Sequence, residues 1–458
     1  MNKYTRYYFL GVGGIGMSAI ARYYNTQGLK VAGYDRTETK LTKDLELEGI
    51  ELVHDSSVDS IPMDYRLAKN TMVVVTPAIP HDHPQLNYFK ANNFKILKRA
   101  EVLGELTRAS KGICVAGTHG KTTTSTIIAH LLYQSQVSCN AFLGGIANNY
   151  KTNLLLSKES NLVVIEADEY DRSFHQLSPY MAVITSADPD HLDIYGDEKV
   201  FRESFEHFTS LIRAGGVLLI REGIDIKLQL NKGVKLYTYS MNDGGDFRAE
   251  NIRIVKGEIQ FDFVTPTQRV NDVRLGVPAL INVENSIAAM AMAWLNGVTV
   301  EELREGVSSF SGIYRRFNTV YKSAKIVYID DYAHHPTELK ASISSIRSLY
   351  PDQKITGIFQ PHLYSRTRDF ATEFSHELSQ LDELILLDIY PARELPIEGV
   401  SSKMIFDLVN LENKTLCTIE KLLPLLAERQ MEVLVTFGAG DIDKMVPKIK
   451  DTLIKMSL

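Results

Sequence analysis

The sequence predicts an α/β protein: a Rossmann-like amino-terminal segment, a phosphate-loop ATPase-like centre with a mostly parallel sheet, and a Rossmann-like carboxyl-terminal segment. Three observations carry that prediction. Short apolar runs recur at intervals long enough for a helix, two of them lead into glycine loops that open helix-like stretches, and polar clusters gather just after such runs. Strands covered on both faces read as continuous apolar runs, and ligand loops collect at the carboxyl ends of parallel strands. At 458 residues the chain exceeds one ordinary core, so about three domains are expected.

The first segment begins with the strand-like Tyr7–Leu10, and further strands are expected at Leu29–Tyr34 and Met72–Val75. Between the first two lies Gly11-Val-Gly-Gly-Ile-Gly16, with Asp35 about twenty residues on. Gly11, Gly13, Gly14, Ile15 and Gly16 form a turn that lets a diphosphate approach a helix N-terminus, and Asp35 stands where a carboxylate reads a ribose. NAD and a UDP-sugar satisfy that pattern equally well; a purely structural turn is the third reading. A helix near Arg99–Leu106 leads onward.

The second segment starts near Lys111 and carries the most informative stretch of the chain. The apolar Ile113–Ala116 runs into Gly117-Thr118-His119-Gly120-Lys121-Thr122, then into a helix beginning Thr122-Thr123. Backbone N–H groups and a helix N-terminus cradle polyphosphate there, lysine neutralises charge, and a hydroxyl serves Mg²⁺. The usual first glycine of such a loop is replaced by Val115. ATP is the expected ligand. Glu166-Ala-Asp-Glu-Tyr-Asp171 follows the strand Leu162–Ile165, and Asp188-Pro-Asp-His191 follows Met181–Ile184, so the acidic cluster and His191 join Thr122 as an expected metal site. Another strand is Val217–Ile220, and alternating residues from about Val234 to Leu275 predict a small antiparallel addition. Asn282 and Asn285 share a face at a helix start, where they either read an adenine edge or cap the helix.

The third segment follows Gly312, with strands expected at Ile326–Ile329, Ile355–Phe359, Leu384–Leu387 and Val433–Phe437. Arg315-Arg316, Asp330-Asp331-Tyr332-Ala-His334-His335-Pro336 and Gln360–Arg368 cluster there, two of them at strand ends, and suit an anionic ligand.

Composition excludes other classes. Lys plus Arg number 50 against 56 acids, for a formal charge of −6, which offers no basic field for nucleic acid. No apolar run reaches membrane-spanning length, so no membrane insertion is expected. Three scattered cysteines, Cys114, Cys139 and Cys417, fit a reducing cytoplasm, and Met1–Leu10 has no signal-peptide pattern.

Together these residues resemble the Mur ligases of peptidoglycan synthesis. The match runs through Gly11–Gly16, Arg99-Ala-Glu, Gly117–Thr122, Glu166–Asp171, Asp190–Gly196, Asn282–Asn285, Arg315–Phe317, Asp330–Pro336 and Gln360–Arg368. It departs at Ile281, where histidine is common, at Leu363, where arginine is common, and at Thr76-Pro-Ala; Phe201–Phe208 holds no lysine to be carbamylated. The resemblance implies a UDP-sugar-binding domain (1–108), a central ATP-binding domain (109–312) and a closing, amino-acid-binding domain (313–458). It implies joining of L-alanine to the lactyl carboxylate of UDP-N-acetylmuramate, with ATP and Mg²⁺, by a cytoplasmic monomer or weak homodimer. It places Lys121 on the transferred phosphate and Thr122, Glu166 and His191 on the metal. Asn285, Arg316 and Asp331 fall on ADP, and Tyr332, His334, His335 and Arg366 at the alanine and reaction site. A ligase adding a preformed tripeptide to the same acceptor, an NAD-dependent oxidoreductase and a nucleotide switch without chemistry are the rival readings.

Overall fold

A computed structural model describes residues 4–189, 192–242, 244–255, 257–392 and 394–457. Contacts divide the chain into two compact units, Met1–Glu250 with Asp262–Asn271 and Glu284–Ser309, and Asn251–Phe261 with Asp272–Val283 and Phe310–Leu458.

The first sheet is parallel: β1 (Arg6–Leu10), β2 (Lys30–Tyr34), β3 (Glu51–Val53), β4 (Thr71–Val75) and β5 (Lys95–Lys98), in the order β3-β2-β1-β4-β5. Side chains alternate across a strand, so β1 feeds two cores. Tyr7 and Phe9 join one cluster and Tyr8 and Leu10 another.

The central sheet has ten strands. They are β6 (Lys111–Ala116), β7 (Asn140–Ala147), β8 (Thr152–Leu155), β9 (Leu162–Glu166), β10 (Met181–Ile184), β11 (Val217–Arg221), β12 (Lys235–Ser240), β13 (Phe247–Val255), β14 (Glu258–Val264) and β15 (Arg269–Arg274). Their order is β15-β14-β13-β12-β11-β10-β6-β9-β7-β8. β6 lies between β10 and β9, parallel to both, so the loop after it opens between the loops that follow them. The antiparallel β7–β8 hairpin is a feature the apolar-run reading passed over.

In the carboxyl-terminal sheet, β16 (Asn318–Lys322), β17 (Val327–Asp331), β18 (Ile355–Phe359), β19 (Glu383–Leu387), β20 (Lys414–Cys417) and β21 (Val433–Phe437) follow the order β16-β17-β21-β18-β19-β20. Only its edge strand β16 runs antiparallel to its neighbour. Among the described residues no helix is long and apolar enough to cross a membrane.

One polar knot ties the first sheet's helix Ile15–Thr26 to the central hairpin. Asn153 on β8 is fully buried; its Nδ2 donates to Ile15 O (2.6 Å) and Ser18 Oγ (2.9 Å), and its Oδ1 accepts from Arg22 Nη1 (2.6 Å). Arg22 also forks onto Glu48 at 2.7 and 2.8 Å. Around it, Tyr23 meets Phe142 edge-on at 5.4 Å, and one apolar cluster contains both Ala21 of this helix and Ile165 of the central sheet. Removing one member of a buried network leaves the others desolvated and unpaired. Asn153→Ala is therefore expected to lower unfolding free energy by about 3 kcal/mol, read from urea denaturation; an unchanged midpoint would show that the knot adds nothing.

Candidate active site

The phosphate-type loop leaves β6 at the carboxyl edge of the sheet. Val115 replaces the usual first glycine without penalty because it is still inside the strand and buried; the turn starts at Gly117. Gly117 (φ +139°) lies so close to Thr185 that a Cβ would overlap its Oγ1, and Gly120 (φ +80°) caps the helix Lys121–Tyr133 with its α-carbon beneath Asn285 Oδ1. Both positions therefore need glycine for conformation and for room. The loop is pinned from β10's end: Thr118 Oγ1 donates to Asp188 O (2.6 Å), His119 N–H to Ser186 Oγ (2.8 Å) and Thr185 Oγ1 to His119 O (2.5 Å). Thr123 is half-buried in the first helical turn.

Lys121 Nζ donates to Gly117 O (2.6 Å), Thr118 O (3.2 Å) and Glu169 Oε1 (2.8 Å). Burial works against its charge, but Glu169 and Glu166 overcome that and raise its pKa. Burial raises the pKa of the Glu169 carboxyl, and the Lys121 ammonium at 2.8 Å pulls it back toward the ionised form.

Thr122 Oγ1 donates to Glu166 Oε2 at 2.8 Å. Gly144 on β7 makes space for that carboxylate, because a Cβ there would overlap Oε2. A hydroxyl and a carboxylate facing one another beside a phosphate loop are hard oxygen donors that fit Mg²⁺. His191 lies outside the described residues, and among those described no group of three or more His, Cys, Asp or Glu is placed to hold a metal. Asn285 accepts from Thr124 Oγ1 (3.2 Å) at Gly120, whereas Asn282 donates its Nδ2 to Val277 O (3.3 Å).

The amino-terminal loop is more self-contained than its pattern implies. Asp35 Oδ2 accepts from Gly13 N–H (2.8 Å) and Oδ1 from Thr37 N–H (3.1 Å), so the carboxylate expected on a ribose is already bonded to the loop. A Cβ at Gly11 would overlap Thr76, one at Gly13 would meet Asp35 and Thr42, and one at Gly16 would overlap Arg99. Packing thus favours glycine at Gly11, where φ is also positive, and at Gly13, whereas at Gly16 the overlap is with the end of the Arg99 side chain. Gly14 is the N-cap and Ile15 the first residue of the helix that follows. Arg99, lying over Gly16, donates to Asp168 Oδ2 in the acidic loop (2.9 Å).

The carboxyl-terminal cluster is described by itself. Arg315 and Arg316 flank the Tyr332 ring, their guanidinium carbons 5.1 and 4.9 Å from its centroid. Arg315 is structural: buried, it donates to Gly438 O and Gly440 O and lies 3.6 Å from Asp330. Burial lifts the Asp330 carboxyl to about 6, with Arg315 opposing. Arg316 lies 4.0 Å from Glu338, and Asp331 Oδ1 accepts from Phe317 N–H (3.3 Å).

The tandem histidines have separate tasks. His335 caps the helix Pro336–Leu349, its Nδ1 accepting from Thr337 N–H (3.4 Å), and Glu338 Oε2 completes the capping box by accepting from His335 N–H (3.2 Å). His334 places Nδ1 2.8 Å from Tyr332 O and 3.3 Å from Glu338 Oε2, and its ring is 5.8 Å from that of His362. Burial lowers its pKa, with Glu338 acting against the shift and Arg366 with it. On the helix Tyr364–Asp369, the buried Arg366 Nη1 has no hydrogen-bond partner among the described residues.

Lys121, Thr122, Glu166 and Asn285 thus converge on one loop, and Arg316, Tyr332 and His334 on another. Gly144, Ser186, Glu169, Glu338 and His362 were not expected from sequence. Glu169 and His362 sit inside the polar stretches Glu166–Asp171 and Gln360–Arg368; Gly144 carries no signal in the sequence.

Comparison with known proteins shows the family. Models of the Mur ligase family catalytic domain, the Mur ligase middle domain and the Mur ligase glutamate ligase domain match residues 6–111, 115–293 and 315–440. The UDP-N-acetylmuramate–L-alanine ligase of Parabacteroides distasonis is 58% identical over 455 residues, 99% of this chain and 98% of its own length. The chain belongs to the Mur ligase family. Another Mur ligase of the same description, from Phocaeicola vulgatus, is 55% identical over 99% of both chains. The crystal structure of the UDP-N-acetylmuramate–alanine ligase from Thermotoga maritima superposes with a TM-score of 0.81 at 26% identity, covering 99% of this chain and 100% of that one. The murein peptide ligase of Psychrobacter arcticus shares the fold, with a TM-score of 0.68 at 19% identity over 98% of each chain.

Because Gly144 leaves space for the Glu166 carboxylate, Gly144→Ala should displace it and raise the Mg²⁺ concentration needed for half-maximal activity by at least ~10-fold, the scale of a disturbed metal ligand. An unchanged Mg²⁺ titration would detach Glu166 from the metal.

Proposed function

We propose that this Mur ligase joins L-alanine to the lactyl carboxylate of UDP-N-acetylmuramate, with cleavage of ATP to ADP and phosphate. The observation that carries this reading is end-to-end similarity to ligases of that description, 58% identical in one case, in a chain whose phosphate-type loop keeps a lysine, a hydroxyl and a carboxylate together. We keep the division into acceptor (1–108), ATP (109–312) and amino-acid (313–458) segments as the functional one.

A carboxylate resists attack by an amine because oxide would have to leave. Transfer of a phosphoryl group makes an acyl phosphate, from which phosphate leaves instead. Lys121 neutralises charge on the group in flight, and the N–H groups of Gly117–Thr123 hold the polyphosphate. Mg²⁺, held by Thr122 and Glu166 with His191 as a further ligand, supplies added neutralisation when bound. Asn285, at the Gly120 turn, contacts the nucleotide, as do Arg316 and Asp331; Asn282, bonded to Val277 O, is the weaker adenine contact. The acceptor's diphosphate lies at the Gly11–Gly16 turn, with Asp35 shaping the loop from within.

In the second step the unpartnered Arg366 Nη1 receives the carboxylate of L-alanine. His334, kept neutral by burial, takes the proton from the amine, beside Tyr332. His335 supports that arrangement as the helix cap.

Phosphate release from ATP with UDP-N-acetylmuramate tests the reading, run with L-alanine, with a tripeptide and with neither. Release dependent on L-alanine supports it. Release only with tripeptide selects the rival ligase, and hydride transfer from NADH without phosphate release selects the oxidoreductase. Arg366→Ala should raise the KM for L-alanine at least ~10-fold, the scale of a lost charge-assisted pair, and leave that for ATP little changed. Unequal effects in the opposite sense would move Arg366 to the phosphoryl site. A base whose pKa is lowered from 6.5 stays competent at pH 7 and loses activity as pH falls through its folded value. The acid limb of kcat/KM for L-alanine should therefore lie below pH 6.5 and disappear in His334→Gln; a limb persisting in that variant belongs to another group.

A further inference from the structure

The ammonium of Lys121 has three N–H donors, and all three are occupied, two by carbonyls of its own loop and one by Glu169. The lysine side chain is 13% exposed and the glutamate 3%, so neither charge is satisfied by water. To meet a phosphoryl oxygen, Lys121 must share or surrender one of these bonds. Glu169 is not free to follow it. Its backbone carbonyl accepts from Tyr195 OH (2.6 Å), a buried residue, and from Arg172 N–H (2.9 Å). Its second carboxylate oxygen is buried and has no hydrogen-bond partner among the described residues. The backbone that carries this carboxylate is thus held in place, and its Oε1 meets the loop lysine, three residues beyond the Glu166 that faces Thr122.

We infer that Glu169 is a positioning residue for Lys121: its buried carboxylate, carried on a held backbone, keeps the ammonium at the phosphate loop and competes for it with the incoming phosphoryl group. This rests on the ATP-dependent reading proposed above. Two opposed consequences follow from one charge. The carboxylate repels a bound polyphosphate and so weakens nucleotide binding. It also fixes where the ammonium stands when charge moves onto the transferred group, and so speeds the chemical step.

The test is Glu169→Gln, which keeps the shape and removes the charge, beside Glu169→Asp and Lys121→Ala. ATP binding with Mg²⁺ is measured by calorimetry, and turnover by phosphate release with UDP-N-acetylmuramate and L-alanine. Glu169→Gln is expected to bind ATP at least ~3-fold more tightly, on the scale of one partly screened charge, while kcat falls at least ~10-fold, the size of a lost orienting contact. Glu169→Asp is expected to restore wild-type ATP affinity and recover part of kcat. A merely structural role would lower the folded fraction and leave the two constants of the folded enzyme unsplit. Wild-type kcat in Glu169→Gln overturns the inference, as does a loss of ATP affinity in step with kcat, the behaviour expected of Lys121→Ala. If Glu169→Gln fails to fold, Glu169→Asp decides: full wild-type turnover overturns the inference, and reduced turnover with unchanged ATP affinity supports it. Failure of the wild-type protein to release phosphate would instead overturn the functional reading beneath it.

Discussion

A protonated amine cannot be buried beside a glycine loop unless anions and carbonyls surround it, and much of the central sheet is arranged around that constraint. Lys121 is satisfied from three directions. The loop carbonyls face it because Gly117 and Gly120 adopt conformations closed to other residues. The acidic partner comes from the chain beyond β9, which must lie next to β6 for Glu169 to reach. On the other flank β10 supplies Thr185 and Ser186, whose hydroxyls keep the loop from relaxing away. Strand order, glycine placement and charge compensation are here one arrangement seen at three scales.

The carboxyl-terminal cluster answers a similar demand with different means. Two adjacent arginines would repel one another if both faced a ligand. Arg315 turns inward onto Asp330 and the carbonyls after β21, while Arg316 lies within reach of the same tyrosine ring and 4.0 Å from Glu338. Both guanidinium groups are close enough to that ring for a cation–π attraction. A positive φ at Arg315 and at Phe317 bends the chain so that consecutive side chains diverge.

The elements legible in the sequence were those whose residues report their own environment. Ile113–Ala116 is apolar throughout and Val433–Phe437 apolar but for Thr436, because both their faces are covered; the first lies within β6, which starts two residues earlier, and the second is β21 itself. Glycine followed by lysine and threonine marked the phosphate loop even with valine in place of a glycine, since the first glycine belongs to a strand here. What escaped depends on partners distant in the chain. Gly144 has meaning only because Glu166 reaches it from β9, and Glu169 looked like one acid among several until its partner was Lys121. The two histidines at 334 and 335 were indistinguishable as letters; the cap of the following helix separates them. Asp35 carried a ribose-binding signature, yet its oxygens are bonded to Gly13 and Thr37.

The Asn153 knot bears on how freely the amino-terminal segment can be treated as a module. The boundary suggested near residue 108 cuts the chain between two sheets, but Ile15, Ser18 and Arg22 are completed by a hairpin well beyond it. The apolar cluster on that side likewise draws Ala21 and Ile165 into one body. An isolated 1–108 fragment would lose the Asn153 bonds to Ile15, Ser18 and Arg22 and present a bare apolar helix face to solvent. Chimaeras exchanging this segment among relatives would have to carry the matching β7–β8 hairpin with it. The unit of exchange is then larger than the unit of sheet.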